Sequence, residues 1–218
     1  MKVWAATTFL SGLLMAFVVT AQVTGDPDGI NDFLSDGPFA LHVKGQSGNT
    51  TVDGYISTLP TFSPQWLLQY EAGNSLKADN SSYRFYFNYT GRMKSQDADA
   101  GFFVTDYVEA DTNPFGFKGK AMSLLFDLNT NIGLPILGVG TAALSGFTAD
   151  NKAFLTHYID DSNNAPSIRP TGQDYRYYNW AICWQPFSNI YAPVLSWVTT
   201  GQPHNPTCEL VDLFKVSL

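Results

Sequence analysis

Residues 175–218 read YRYYNWAICWQPFSNIYAPVLSWVTTGQPHNPTCELVDLFKVSL and hold both cysteines and three of the five tryptophans of the chain. Tyr178, Trp180, Ile182 and Trp184 fall on one side of a pleat, because strand side chains alternate every second residue. Leu195 and Trp197 repeat the pattern in a second run. Leu210, Phe214, Val216 and Leu218 repeat it in a third, with Asp212 as the polar exception. Three strands are predicted here. Cys183 and Cys208 are an even pair about 25 residues apart, so a bridge between them would stabilise by roughly 3–4 kcal/mol on the chain-entropy model. Two buried thiols or a metal site are the alternatives. His204 alone, in a Pro-rich loop, makes a poor third zinc ligand.

Working back from that stretch, the chain reads as a series of short strands from Pro38 onward. Phe39, Leu41 and Val43 alternate with Ala40, His42 and Lys44. The segment 51–59 follows, then Trp66, Leu68 and Tyr70. Tyr83, Phe85, Phe87 and Tyr89 form the cleanest apolar face. Phe102, Val104 and Val108 share another, as do Met122, Leu124, Phe126 and Leu128, and the segment 154–159 is a further candidate. Turn residues separate these runs, as in Ala72-Gly73-Asn74 and Asn113-Pro114-Phe115-Gly116. Short β-branched and aromatic runs at this spacing predict an all-β fold, an antiparallel β-sandwich or partly closed barrel. Helical turns are expected only at 30–35 and 141–147. The Gly-rich run 132–146 reads as a buried or edge-covering loop, because its glycines and Pro135 discourage a helix.

Before the strands comes a leader. Lys2 is followed by the apolar run 3–19, and Val19-Thr20-Ala21 offers small residues where a signal peptidase cuts. Residues 1–21 are therefore expected to be a secretory signal peptide, residues 22–37 a flexible acidic lead-in, and residues 38–218 a single β-rich domain. A retained membrane anchor would want about 20 unbroken apolar residues, and no later run is that long. The Asp26–Asp32 segment looks a little like a calcium loop but lacks the full spacing and the closing glutamate. No metal or cofactor is expected. The secretory route agrees with three sequons, at Asn49, Asn80 and Asn88. By the alternation of its strand, Asn88 is expected to face solvent.

The formal net charge is -7, with 14% charged and 15% aromatic residues. An acidic chain without a basic run is a poor partner for nucleic acid or anionic lipid, whose phosphates need clustered Lys and Arg. The sequence has no Gly-x-Ser-x-Gly elbow, no His-Glu-x-x-His helix and no phosphate loop. His42, His157 and His204 have no evident Ser and Asp partners. Asp106, Glu109 and Asp127 are the carboxylates to consider for glycoside hydrolysis, which needs two acids at a fixed gap. A strand end or bulge explains each as well. Binding needs less machinery. Tyr175 and Tyr177, flanked by Arg176 and Asn179 on the face opposite Trp180, are candidates for stacking on a glycan, and Tyr55 and Tyr86 also lie on polar sides of strands. Cross-strand pairing accounts for such tyrosines too.

The pattern Tyr178-Asn179-Trp180-x-x-Cys183, Leu195-x-Trp197-Val198 and Gly201-x-Pro203-x-Asn205-Pro206-x-Cys208-x-x-Val211 resembles the ending of a family of small secreted proteins of filamentous ascomycete fungi. Gly37-Pro38-Phe39-Ala40-Leu41-His42-Val43 is similar to their first strand. Those proteins are largely uncharacterised, and some are described as cell-wall or extracellular-matrix proteins. The resemblance implies a secreted β-rich domain with a C-terminal disulfide, and it brings no catalytic residues. The expectation is a secreted, N-glycosylated, non-catalytic protein of the fungal cell wall or extracellular space. A carbohydrate-binding module or a secreted effector aimed at a host protein is the alternative, and a glycoside hydrolase comes last. The partners expected are a cell-wall polysaccharide or another extracellular protein.

Overall fold

The structure, a computed structural model, describes residues 33–61, 64–73, 76–77, 79–96, 100–105, 119–138, 140–156 and 176–218. The predicted signal peptide, most of the acidic lead-in, Asp106, Glu109, His157 and Tyr175 lie outside the described residues.

The described residues are nearly all β. In order they form β1 (Phe33–Gly45), β2 (Asp53–Pro60), β3 (Trp66–Ala72), a 3-10 turn (Ser81–Tyr83), β4 (Phe85–Thr90) and a short helix α1 (Gly91–Gln96). β5 (Ala100–Thr105), β6 (Met122–Phe126), β7 (Ile132–Leu137), β8 (Ser145–Phe147) and β9 (Ala153–Thr156) follow. The last four are β10 (Arg176–Tyr177), β11 (Trp180–Phe187), β12 (Ile190–Val198) and β13 (Glu209–Ser217). Every pairing between these strands is antiparallel, and neighbours run β10-β9-β8-β5-β4-β1-β13-β11-β12-β3-β7-β6. Because β2 pairs with both β1 and β3, the pairings of β1, β13, β11, β12, β3 and β2 close a ring. The predicted antiparallel, β-rich architecture is what the chain adopts. Among the described residues no helix is long and apolar enough to cross a membrane.

The main core lies within this ring and against β4, β5 and β9. It gathers Leu41, Val43, Ile56, Leu68, Phe85, Phe103, Trp180, Leu195, Trp197, Val211 and Leu213. Trp180 is at its centre, edge-on to Trp197 with ring centroids 4.9 Å apart, and its indole Nε1–H donates to the Ala153 carbonyl at 2.9 Å. Smaller apolar clusters cover other faces of the strands. Phe102 and Val104 form one with Phe33, Tyr86 and Met93, and Leu67, Ile136, Ala192 and Val194 form another.

Several elements differ from the sequence expectation. β1 starts at Phe33, inside the segment read as a flexible lead-in, because Phe33 to Asp36 pair with Thr90 to Phe87 of β4 and the Phe33 ring packs against Phe102. The pairing shifts register between Asp36 and Phe39. Gly37 has φ 137°, and a Cβ there would meet the Phe85 carbonyl oxygen at 2.9 Å, so only glycine fits the bulge. The run read as a loop contains β7, and neither expected helical turn is found among the described residues: 33–35 and 145–147 are strand, and 30–32 lie outside them. Pro135 is tolerated because β7 changes partner around it, pairing with β12 at Ile132 and Gly133 and with β3 at Ile136 and Leu137. In β13 the parity is reversed. Val211 and Leu213 enter the main core, which places Asp212 on the outer side, where Lys152 (2.9 Å) and Gln46 (2.9 Å) bind its carboxylate.

Candidate functional site

The β11–β12 hairpin is the longest two-strand register in the C-terminal stretch. Trp180↔Trp197, Ile182↔Leu195, Trp184↔Pro193 and Pro186↔Tyr191 are cross-strand pairs with side chains on one face. The first two pairs are core. The last two run past the end of the core, leaving Trp184 44% and Tyr191 63% exposed. Their ring centroids are 5.2 Å apart with an interplanar angle of 35°. The parity that groups Trp184 with Trp180 is therefore right, but Trp184 does not face the interior.

Three things hold this aromatic pair in place. The opposite face of the hairpin is anchored, since Phe187 and Ile190 pack on the cluster of Leu67, Ile136, Ala192 and Val194. Cys183, next to Trp184, is bonded to Cys208, as the sequence reading expected. The main chain of Trp184 is also capped by side chains. Its N–H donates to Thr207 Oγ1 at 3.0 Å and its carbonyl accepts from Asn205 Nδ2 at 3.0 Å. Asn205 Oδ1 in turn accepts from the Thr207 N–H and hydroxyl at 2.9 and 2.7 Å. These caps occupy the outward backbone groups of Trp184, and Pro186, two residues on, has no N–H to offer. The edge is thus closed to further strand pairing. Ser188, with φ 56°, and Asn189 make the exposed two-residue turn that ends the hairpin.

An exposed aromatic ring held rigidly, with hydroxyl and amide groups nearby, offers a surface for the C–H face of a sugar and partners for its hydroxyls. The sequence reading placed stacking elsewhere. Tyr177 is half-buried, opposite Leu155 of β9, and packs against the main core, so it is no platform. The break at Tyr178 and Asn179 separates its strand from β11, which is why alternation counted from Trp180 misplaced it. Tyr55 packs against His42 with centroids 4.9 Å apart and the rings tilted by 34°, and Tyr86 packs against Phe102 and Val104. The prolines at 186 and 193 were the available clue, since proline inside a strand pattern marks an edge or a partnerless end.

The other candidates resolve individually. His42 Nε2 bonds Asp53 Oδ1 at 2.7 Å across β1 and β2, and His204 donates its backbone N–H to Asn131 Oδ1. Asp127 caps its own turn by accepting from Asn129 N–H at 3.0 Å. Among the described residues no group of three or more His, Cys, Asp or Glu could hold a metal. Glu71 is bound from two sides. Ser57 donates to it at 2.7 Å and the Tyr83 hydroxyl donates to its other oxygen, tying the 3-10 turn to β3. The Tyr83 hydrogen bond holds Glu71 below the usual carboxylate value, while burial, reinforced by Glu71, pushes Tyr83 up to about 12. Glu71 thus contributes stability above its unfolded-state value that is lost as pH falls through its lower folded value. Tyr83 contributes stability below about pH 10 that is lost as pH rises towards 12. Urea midpoints measured across pH should fall at both extremes, and Glu71→Gln should remove this group's part of the acid limb and reduce the alkaline limb, whose larger cause, burial of Tyr83, remains; an unchanged profile in the variant would refute the linkage.

The three sequons are not equivalent. Asn49 is exposed in a turn, and Asn80 is exposed at the start of the 3-10 turn, where its Oδ1 accepts from Ser82 N–H. Asn88 is not at the surface as expected. It is 4% exposed, and its Oδ1 has no hydrogen-bond partner among the described residues. β4 runs between β1 and β5, and both of its faces are covered, so alternation gives it no solvent side. Peptide mass mapping of the protein secreted from a eukaryotic host should find glycan on Asn49 and Asn80 and an unmodified Asn88. Full occupancy at Asn88 would contradict the packing of β4.

Compared with known protein families, curated proteins and solved structures, the chain matches none of them.

Proposed function

We propose that the chain is a secreted glycoprotein of the fungal cell wall or extracellular space that acts by binding a glycan through Trp184 and Tyr191. One observation carries this: two large aromatic side chains in contact stand in solvent, although the backbone at Trp184 is fixed by the adjacent disulfide and two side-chain caps. Rigid exposed aromatics lose little entropy on stacking and gain contact area, which is the preorganisation that binding rewards. The disulfide and the exposed sequons at Asn49 and Asn80 support the secretory route. A protein partner is the second reading. It is favoured by the apolar tip of the β6–β7 hairpin, where Leu125, Phe126 and Leu128 are 43%, 54% and 103% exposed.

An array of immobilised polysaccharides and oligosaccharides, including β-glucans and chitin, tests the first reading. The mature protein should bind at least one class, and Tyr191→Ala should weaken that binding about tenfold, the equivalent of 1.4 kcal/mol. Tyr191 is exposed enough for this change to leave the fold intact. An array silent across every glycan would remove the reading and leave the protein-partner one.

A further inference from the structure

Resting on that reading, we infer that the Trp184–Tyr191 site takes a single sugar ring, at a chain end or short branch of a soluble glycan, and not a run of sugars along a flat polysaccharide surface. Size decides it first. The exposed part of the face is two cross-strand pairs, Trp184↔Pro193 and Pro186↔Tyr191. Two residues of strand span about 7 Å and one inter-strand spacing about 5 Å, the footprint of one pyranose ring. The face is bounded on the inner side by Ile182 and Leu195, which are 5% and 0% exposed, and on the outer side by the Ser188–Asn189 turn.

Ring geometry decides it second. A centroid separation of 5.2 Å lies within the range of aromatic rings packed on one another, about 4.5–7 Å. The two rings are therefore in contact and, inclined by 35°, do not make a coplanar row along which successive sugars could lie. One ring braces the other. The exposed Ser188–Asn189 turn closes the hairpin next to Tyr191, so the chain itself supplies the Tyr191 phenol and the turn's polar residues at this end. The Asn205 and Thr207 side chains are already committed to the Trp184 backbone and to each other. A terminal sugar, which has more free hydroxyls than an internal one, suits such an arrangement.

Calorimetric titration of the intact mature protein with disaccharides and hexasaccharides of β-1,3-linked glucose, β-1,4-linked glucose and β-1,4-linked N-acetylglucosamine tests the inference. For whichever linkage binds, the disaccharide and the hexasaccharide should agree within about threefold on a molar basis, well under the tenfold that one further stacked sugar worth 1.4 kcal/mol would add. Tyr191→Ala should weaken both equally. A hexasaccharide bound tenfold or more tightly would overturn the single-ring site while leaving glycan binding in place, as would retention on insoluble polymer without binding of any disaccharide. If no sugar binds in solution and the array is silent as well, both conclusions fall.

Discussion

Replacing Trp180 with alanine is expected to cost about 3–5 kcal/mol, the range for truncating a fully buried tryptophan. The side chain is 0% exposed, and its loss would leave a cavity beside Trp197 and an unpaired carbonyl at Ala153. Natural domains are stable by only about 5–15 kcal/mol, so the variant should sit near the edge of folding at room temperature. Trp180→Phe separates the two contributions, because it keeps most of the packing and removes the indole donor; about 1–3 kcal/mol is expected for the unsatisfied carbonyl. Urea denaturation followed by circular dichroism reads both. A midpoint for Trp180→Ala within error of the parent would show that the tryptophan is not the centre of the core.

The second large effect belongs to the disulfide. Cys183→Ser with Cys208→Ser opens a loop closed over a separation of 25 residues, and the chain-entropy model gives about 3–4 kcal/mol for that loop. The consequence reaches the site as well as the fold. Cys208 follows Thr207 directly, so an opened bridge frees the segment whose Thr207 and Asn205 side chains hold the Trp184 backbone. The double variant should therefore lose glycan affinity at temperatures where circular dichroism still reports folded β structure. A variant with an unchanged midpoint would contradict the stabilising role, and one with unchanged affinity would contradict the clamp.

How much of this was legible in the sequence depends on where each residue sits relative to the covered faces. Alternation worked for Phe85 and Phe87, and for Trp180 and Ile182, which line the main core. It failed at Asn88 because β4 is covered on both sides, a circumstance set by strand order, which local sequence does not encode. It failed at Trp184 for the opposite reason, since β11 outruns the core and a core-parity residue there meets water. Leu128 closes the β6 run in sequence yet lies fully exposed beyond the strand. In β13, both parities are apolar enough that only the pairing with β1 and β11 chooses Val211 and Leu213 over Leu210, Phe214 and Val216. The even count and spacing of the cysteines pointed to the bond, with two buried thiols or a metal site still open. The aromatic site was not legible, because exposure follows from where the ring of strands ends.

The most direct test follows the indole N–H signals of the isotope-labelled mature protein as an array-positive oligosaccharide is added. Trp66, Trp180, Trp184 and Trp197 each give one such signal. The Trp184 signal is expected to shift with increasing sugar while those of Trp180 and Trp197, buried in the core, stay in place. Saturable shifts centred on Trp66, or binding that leaves Trp184 unmoved, would contradict a site at Trp184.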